Sequence, residues 1–351
     1  MRKHKAGSLL ACVIVCAVAG VSGAATAADV GAESVAEFYK GKLVKFVLSS
    51  GEGGGYETYA RAILPYLQTY VPGNPKIIIQ HMQGAGGLVA ANNLYNVAPR
   101  DGTQFAMIHR AAVSTAVLFG KSNVKSDPTK FGWIGSMNDE RSVCAAWYTA
   151  PVKSFADLQK TELVVSALGR GTDTDAYSNL LKNVFGAKMK IVTGYNSGAA
   201  MELALERGEV GGRCAWSWST IMSTKAAWVS EKKIVPLVQL SLSKHPDLQD
   251  VPLITEFITS DEQRKILEVV LAPQIIGRPL LMPPDVPAER LAAFRTAFNK
   301  GMQDPQFIAD AKARNLETSS ITGEQIDRMI GHLFETPKPI VEKAAQALEN
   351  R

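Results

Sequence analysis

Two glycine clusters hold the residues best suited to chemistry in this chain. The first, Ser49, Ser50, Gly51, Glu52, Gly53, Gly54, Gly55 and Tyr56, follows the apolar run Val44, Phe46, Val47 and Leu48. It leads at once into a helical period, with Ala60, Ile63, Leu64 and Leu67 at i, i+3, i+4 and i+7. The second cluster, Gly84, Ala85, Gly86 and Gly87, follows Ile77, Ile78 and Ile79 and opens an alanine-rich helix over 88–96. A helix N-terminus presents unpaired N–H groups and a partial positive charge, and glycine lets an anion approach the backbone closely. Each cluster is therefore a candidate anion cradle. Both would emerge at the carboxyl ends of parallel strands, where ligands bind in open α/β folds.

Other candidates stand at the ends of later strands. Arg110, beside His109 after the run 105–108, can make a charge-assisted contact to a carboxylate, or it can be a solvated arginine. Arg170, Gly171 and Thr172 lie at a predicted helix start, and Tyr195, Asn196, Ser197 and Gly198 form a further loop ahead of a helix. Trp216 and Trp218 bracket Ser217 and share one face of a strand, a pattern that fits a core and also an aromatic wall. Asp173 and Asp175 fit helix caps.

Several chemistries are excluded by spacing. A dinucleotide fingerprint started at Gly51 needs glycine where Tyr56 stands, and one started at Gly53 needs it at Thr58. Gly120, Lys121 and Ser122 resemble the end of a phosphate loop, but Thr115 occupies the position of its first glycine. The histidines His4, His81, His109, His245 and His332 show no metal-ligand spacing, and no Gly-Xaa-Ser-Xaa-Gly elbow is present. The expectation is a protein without cofactor, metal or catalytic residues.

The elements that position these loops follow from periodicity. After the first two units, strands are predicted near 105–108, 131–136, 143–148, 163–167, 190–193, 210–217 and 234–242, alternating with helices at 154–158, 175–185 and 199–207. The isoleucine strand reads as buried on both faces of a parallel sheet. Beyond Pro252 come a helix over 261–270, an extended 274–280, and helices over 288–301, 305–314 and 323–348. A chain of 351 residues, 46% hydrophobic and 20% charged, is long enough for two cores.

Residues 1–28 read as a secretory signal peptide: Arg2, Lys3 and Lys5, then apolar 9–21, then Ala25, Thr26 and Ala27 before cleavage near Ala27 or Ala28. Loss of three basic residues takes the count from 38 to 35 against 33 acids, a net charge of +2 that does not suit a nucleic-acid binder. Cys144 and Cys214 remain after the leader. They can pair in an oxidising compartment, but the expectation is two separate buried thiols.

Gly53, Gly54, Gly55, Tyr56, Glu57, Thr58, Tyr59, Ala60 and Arg61, followed by Gly84 to Gly87 and by Asp101, Gly102 and Thr103, resemble the periplasmic receptors of tripartite tricarboxylate transporters, the Bug (TctC-like) family. Tyr195, Ser197, Gly198, Ala199, Leu203, Gly208, Glu209 and Val210 resemble its second-domain loop, and Asp250, Val251, Pro252, Thr255 and Glu256 its return segment. Departures are Glu57 for the usual aspartate, Ser49 and Ser50 for proline and an aromatic, His81 for asparagine, and Arg170 for a small residue. The resemblance implies an α/β, periplasmic-binding-protein-like (type II) fold: two α/β lobes joined by crossing strands around a ligand cleft. Lobe I would comprise 29–138 and 250–351 with the glycine-loop cradle, and lobe II 139–249, reading the rest of the ligand.

It also implies a monomeric, periplasmic solute-binding protein that captures a small organic carboxylate and delivers it to the membrane subunits of a tripartite tricarboxylate-type transporter. A ligand-sensing receptor for a membrane signalling partner and a periplasmic enzyme are the alternatives.

Overall fold

The computed structural model describes residues 34–120 and 123–349; the expected signal peptide lies outside the described residues. The strands are β1 (Leu43–Leu48), β2 (Lys76–His81), β3 (Gln104–Met107), β4 (Gly132–Ser136), β5 (Ser142–Trp147), β6 (Leu163–Ala167), β7 (Met189–Thr193), β8 (Gly212–Ser217), β9 (Ile234–Leu240), β10 (Pro279–Met282) and β11 (Ile321–Thr322). They form two sheets, ordered β11-β4-β10-β3-β1-β2 and β7-β6-β8-β5-β9. The chain crosses between them twice, from β4 to β5 and from β9 to β10.

In the first sheet β1 runs parallel to β2 and β3, while β10 pairs antiparallel with β3 and β4. Alternation along β1 sends Val44 and Phe46 to one face, where Phe46 stacks on Phe105 with ring centroids 4.3 Å apart, and Val47 to the other. The helices Gly55–Tyr70 and Ala288–Gln303 cover the first face through Tyr59, Ile63, Phe294 and Phe298. The helices Leu88–Asn96 and Gly323–Phe334 cover the second through Leu88, Ala91, Ile326 and Ile330. The second sheet is likewise packed on both faces, by Leu180, Leu181, Leu267 and Val270 on one side and by Leu205, Trp216, Trp218 and Trp228 on the other.

Four expectations change. β2 is an edge strand, so Ile78 is 36% exposed and only Ile77 is deeply buried. The terminal helix is broken into Gly323–Phe334 and Lys338–Ala347, because Pro337 cannot continue a helix and restarts one instead. The stretch 274–280 is only partly extended, since residues Ala272–Ile275 form a 3-10 turn. Cys144 and Cys214, which fall where the register shifts between the antiparallel neighbours β5 and β8, form a disulfide rather than two thiols.

The segment 250–351 is shared between the cores. Ala297 and Phe307 join the first, and Ile266, Leu267, Ala344 and Ala347 of the helices Asp261–Leu271 and Lys338–Ala347 pack in the second.

Candidate functional site

Parallel pairing sets the site. Leu48 lies opposite both His81 and Met107, so the chain leaves β1, β2 and β3 at one edge of the first sheet and delivers the two glycine loops and His109-Arg110 together. In the second sheet β6 pairs in parallel with β7 and β8, bringing Leu168 to Thr172, Gly194 to Ser197 and Ser217 to a common edge. These two edges face each other. A Cβ added to Gly54 would lie 3.9 Å from the Gly198 nitrogen, and one added to Gly86 only 2.4 Å from Thr172 Cγ2.

Between them is a cavity of about 70 Å³ lined by Ser50, Gly54, Gly55, Tyr56, His109 and Arg110 from the first side and by Thr172, Asp173, Gly198, Arg213 and Ser217 from the second. A second cavity of about 320 Å³ is lined by Gly84, Ala85, Gly86, Gly87, Tyr195 and Asn196. His109 and Leu168 line both, so the two spaces adjoin.

The other sequence candidates are placed differently. Gly53 spends its N–H on Glu57 Oε2 at 2.6 Å, and Gly51 lies against the Gln83 side chain. Burial alone would push the Glu57 carboxyl up, but the Gly53 N–H and Arg61 hold it below the ordinary range, so this glutamate closes the loop from within. Ser197 caps the helix Gly198–Glu206, its Oγ accepting from the Ala200 N–H at 3.2 Å. Trp216 is packed in the second core. Arg170 is exposed, and with Gly171 it lines a separate surface cavity near Phe119 and Leu348, away from the cleft.

Arg110 is 2% exposed and pairs across the cleft with Asp173 Oδ2 at 2.6 Å. Burial is the largest influence and opposes its charge, but Asp173, Tyr177, Tyr56 and Glu140 together outweigh it and raise its pKa. Its backbone N–H donates to Tyr56 Oη at 3.3 Å. His109 donates its N–H to Ser49 Oγ at 2.9 Å, and burial followed by the charges of Arg110 and Arg278 pulls its pKa down to about 4, keeping it neutral.

Sequence reasoning missed Arg213 and Arg278, both lining the same cavity at 7% and 1% exposure. Each interrupts a run of otherwise buried residues, Gly212 to Trp216 and Ile276 to Met282. That was the available signal, because a charge inside such a run must be paired or functional. The Nε atoms of Arg110, Arg213 and Arg278 and the Oγ of Ser50 have no hydrogen-bond partner among the described residues. Buried donors clustered in one cavity can recognise an anion.

Two mixed α/β sheets, crossed twice by the chain and meeting at a polar cleft, are the architecture of the periplasmic binding proteins. No family model and no curated protein matches the chain. Among solved structures it is similar to MatC (Rpa3494) from Rhodopseudomonas palustris with bound malate, at 19% identity over 86% of this chain and 99% of that one, TM-score 0.68. The periplasmic binding protein BugD is 18% identical over 88% and 98% of the chains, TM-score 0.71. Rpa4515 from R. palustris with adipate is 18% identical over 86% and 97%, TM-score 0.68. The fold that the family resemblance implies is thus the fold observed.

Proposed function

We propose that this chain is a periplasmic solute-binding protein that captures a small organic carboxylate between its two sheets and delivers it to the membrane subunits of a tripartite tricarboxylate-type transporter. The observation that carries this reading is Arg110, a fully buried guanidinium at the carboxyl end of β3 whose Nε finds no partner among the described residues while it lines the cleft cavity. Ser50 Oγ and the helix start at Gly54 and Gly55 supply further donors to the same anion. The malate and adipate bound by MatC and Rpa4515 are ligands of this chemistry.

In this reading the protein works as a monomer of two lobes built on the two sheets, and the helices Asp261–Leu271 and Lys338–Ala347 move with the second. The test is a thermal-shift and calorimetric screen of the chain without residues 1–28 against mono-, di- and tricarboxylates and aromatic acids, because a ligand bound only by the native state raises the melting point. At least one acid should stabilise the protein, and Arg110→Ala should weaken its binding by about 1.5–3 kcal/mol. Equal binding of uncharged amides, or no shift with any acid, would overturn the reading.

A further inference from the structure

Arg110, Arg213 and Arg278 all line the cavity between the sheets, and each has a carboxylate beside it: Asp173 at 2.6 Å, Glu202 at 3.4 Å and Glu140 at 2.7 Å. Two of these pairs can persist when the sheets separate. Arg213 on β8 and Glu202 on the helix Gly198–Glu206 belong to the same sheet and its covering layer, and Glu140 and Arg278 stand on the two passages between the sheets. The pair of Arg110 and Asp173 cannot. Arg110 follows β3 in the first sheet, and Asp173 opens the helix Asp173–Phe185 beyond β6 in the second, so opening the cleft pulls them apart. Exposure separates the pairs in the same way. The Glu202 and Glu140 side chains are 6% and 0% exposed, whereas that of Asp173 is 19% exposed and is the one of the three carboxylates that lines the cavity.

The contact also covers the edge of Arg110 that an acid needs. Asp173 Oδ2 takes Nη2, while Nε has no partner among the described residues. Nε and Nη2 lie on one edge of the planar guanidinium, and a carboxylate bound through two parallel hydrogen bonds uses both. An acid that docks on this edge must therefore push Asp173 off Nη2, because two carboxylates on one desolvated edge repel each other.

We infer that Asp173 is a built-in competitor for the ligand: its carboxylate stands in for the ligand's on Arg110 and holds the two sheets together until an acid displaces it. This rests on the carboxylate reading and adds the residue that sets the threshold for binding. An acid fills the cleft only when its contacts outweigh those of the Asp173 pair, and its apparent affinity is reduced by the fraction of molecules in which that pair is closed.

Calorimetry of the native sequence, Asp173→Asn and Asp173→Ala against succinate, malate and adipate tests the inference. Asp173→Asn keeps the size of the side chain and removes its charge. At least one of these acids should bind both variants about tenfold or more tightly than it binds the native sequence, the size of a charge-assisted contact that no longer competes. A gain is diagnostic, since a substitution that only disturbs the site weakens binding. Small-angle scattering without any acid supplies a second readout that needs no ligand to be known: both variants should have a larger radius of gyration than the native sequence. Unchanged or weaker binding of the acids by folded variants overturns the inference and leaves the carboxylate reading standing, and so do equal radii. If neither the native sequence nor either variant binds any acid of the wider screen, the carboxylate reading itself falls, and this inference with it.

Discussion

Arg278 and Glu140 meet at 2.7 Å as a buried ion pair, with side-chain exposures of 1% and 0%. Each stands on one of the two passages between the sheets, Glu140 between β4 and β5 and Arg278 just ahead of β10. The guanidinium carbon of Arg278 lies 4.8 Å from the ring centre of Tyr56 and 4.9 Å from that of Tyr59, and Nη2 donates to Thr220 Oγ1 at 2.8 Å. Glu140 accepts from Ser219 Oγ at 3.2 Å. One ion pair therefore joins both passages to the helix Gly55–Tyr70 on one side and the helix Trp218–Thr224 on the other.

Such a pair adds little net stability, because desolvation offsets attraction, but removing one member leaves a buried charge. Glu140→Ala should cost about 3–5 kcal/mol in urea unfolding. Glu140→Leu combined with Arg278→Met should lose less than the two single changes predict together. Strict additivity would mean that the two residues do not depend on each other.

The disulfide makes a separate prediction. Cys144 and Cys214 close a loop with a sequence separation of 70 residues. Replacing both by alanine should lower stability by about 2–5 kcal/mol. Alkylation of the unfolded protein should label neither cysteine until reductant is added; labelling without reductant would show free thiols.

Much of this fold was legible because it is local. The switch from alternating burial in Leu43–Leu48 to a helical period after Gly55 lies within one short stretch, and the same switch recurs at Gly87. The edge position of β2 was not legible, since it depends on which strands pair far along the chain. Half of the site was hidden for the same reason: Arg213 and Arg278 are 65 positions apart and converge only after the second crossing. Arg170 is exposed, as an arginine solvated on the rim would be. Its neighbouring glycines placed it beside a helix start, but the loop, with Gly171 at φ +77°, carries it to another surface while Thr172 and Asp173 line the cavity.

Stability should fall on acidification through His109. Its pKa is 6.5 as an unperturbed group and about 4 in the folded protein, lowered first by burial and then by Arg110 and Arg278. The native state thus resists protonation more than the unfolded chain does. The contribution is complete above about pH 6.5 and is lost as pH falls from there through about 4. His109→Gln has no such group, so its melting point should drop less than that of the native sequence between pH 7 and pH 4. Equal drops would place the acid sensitivity elsewhere.

The contact between Gly55 and Thr220 should control closure of the cleft. Gly55 opens the helix Gly55–Tyr70, and a Cβ there would lie 2.2 Å from Thr220 Oγ1, on a helix that follows β8 in the second sheet. Gly55 is absent from the positive-φ glycines, so the constraint is space and not backbone conformation. The threonine is buried and short, and its Oγ1 is held by Arg278, so it cannot swing aside as a long side chain would. Gly55→Ala should therefore keep the two sheets apart, at an overpacking cost of about 1–3 kcal/mol in the closed form. An affinity loss of about five- to a hundredfold for the best acid follows if binding requires closure. Removing the opposing hydroxyl and methyl with Thr220→Ala should recover part of that loss in the double variant, although Thr220→Ala alone removes a partner of Arg278. Small-angle scattering at saturating acid should give Gly55→Ala a larger radius of gyration than the native sequence, and an unchanged radius with unchanged affinity would show that the two helices need not touch for binding.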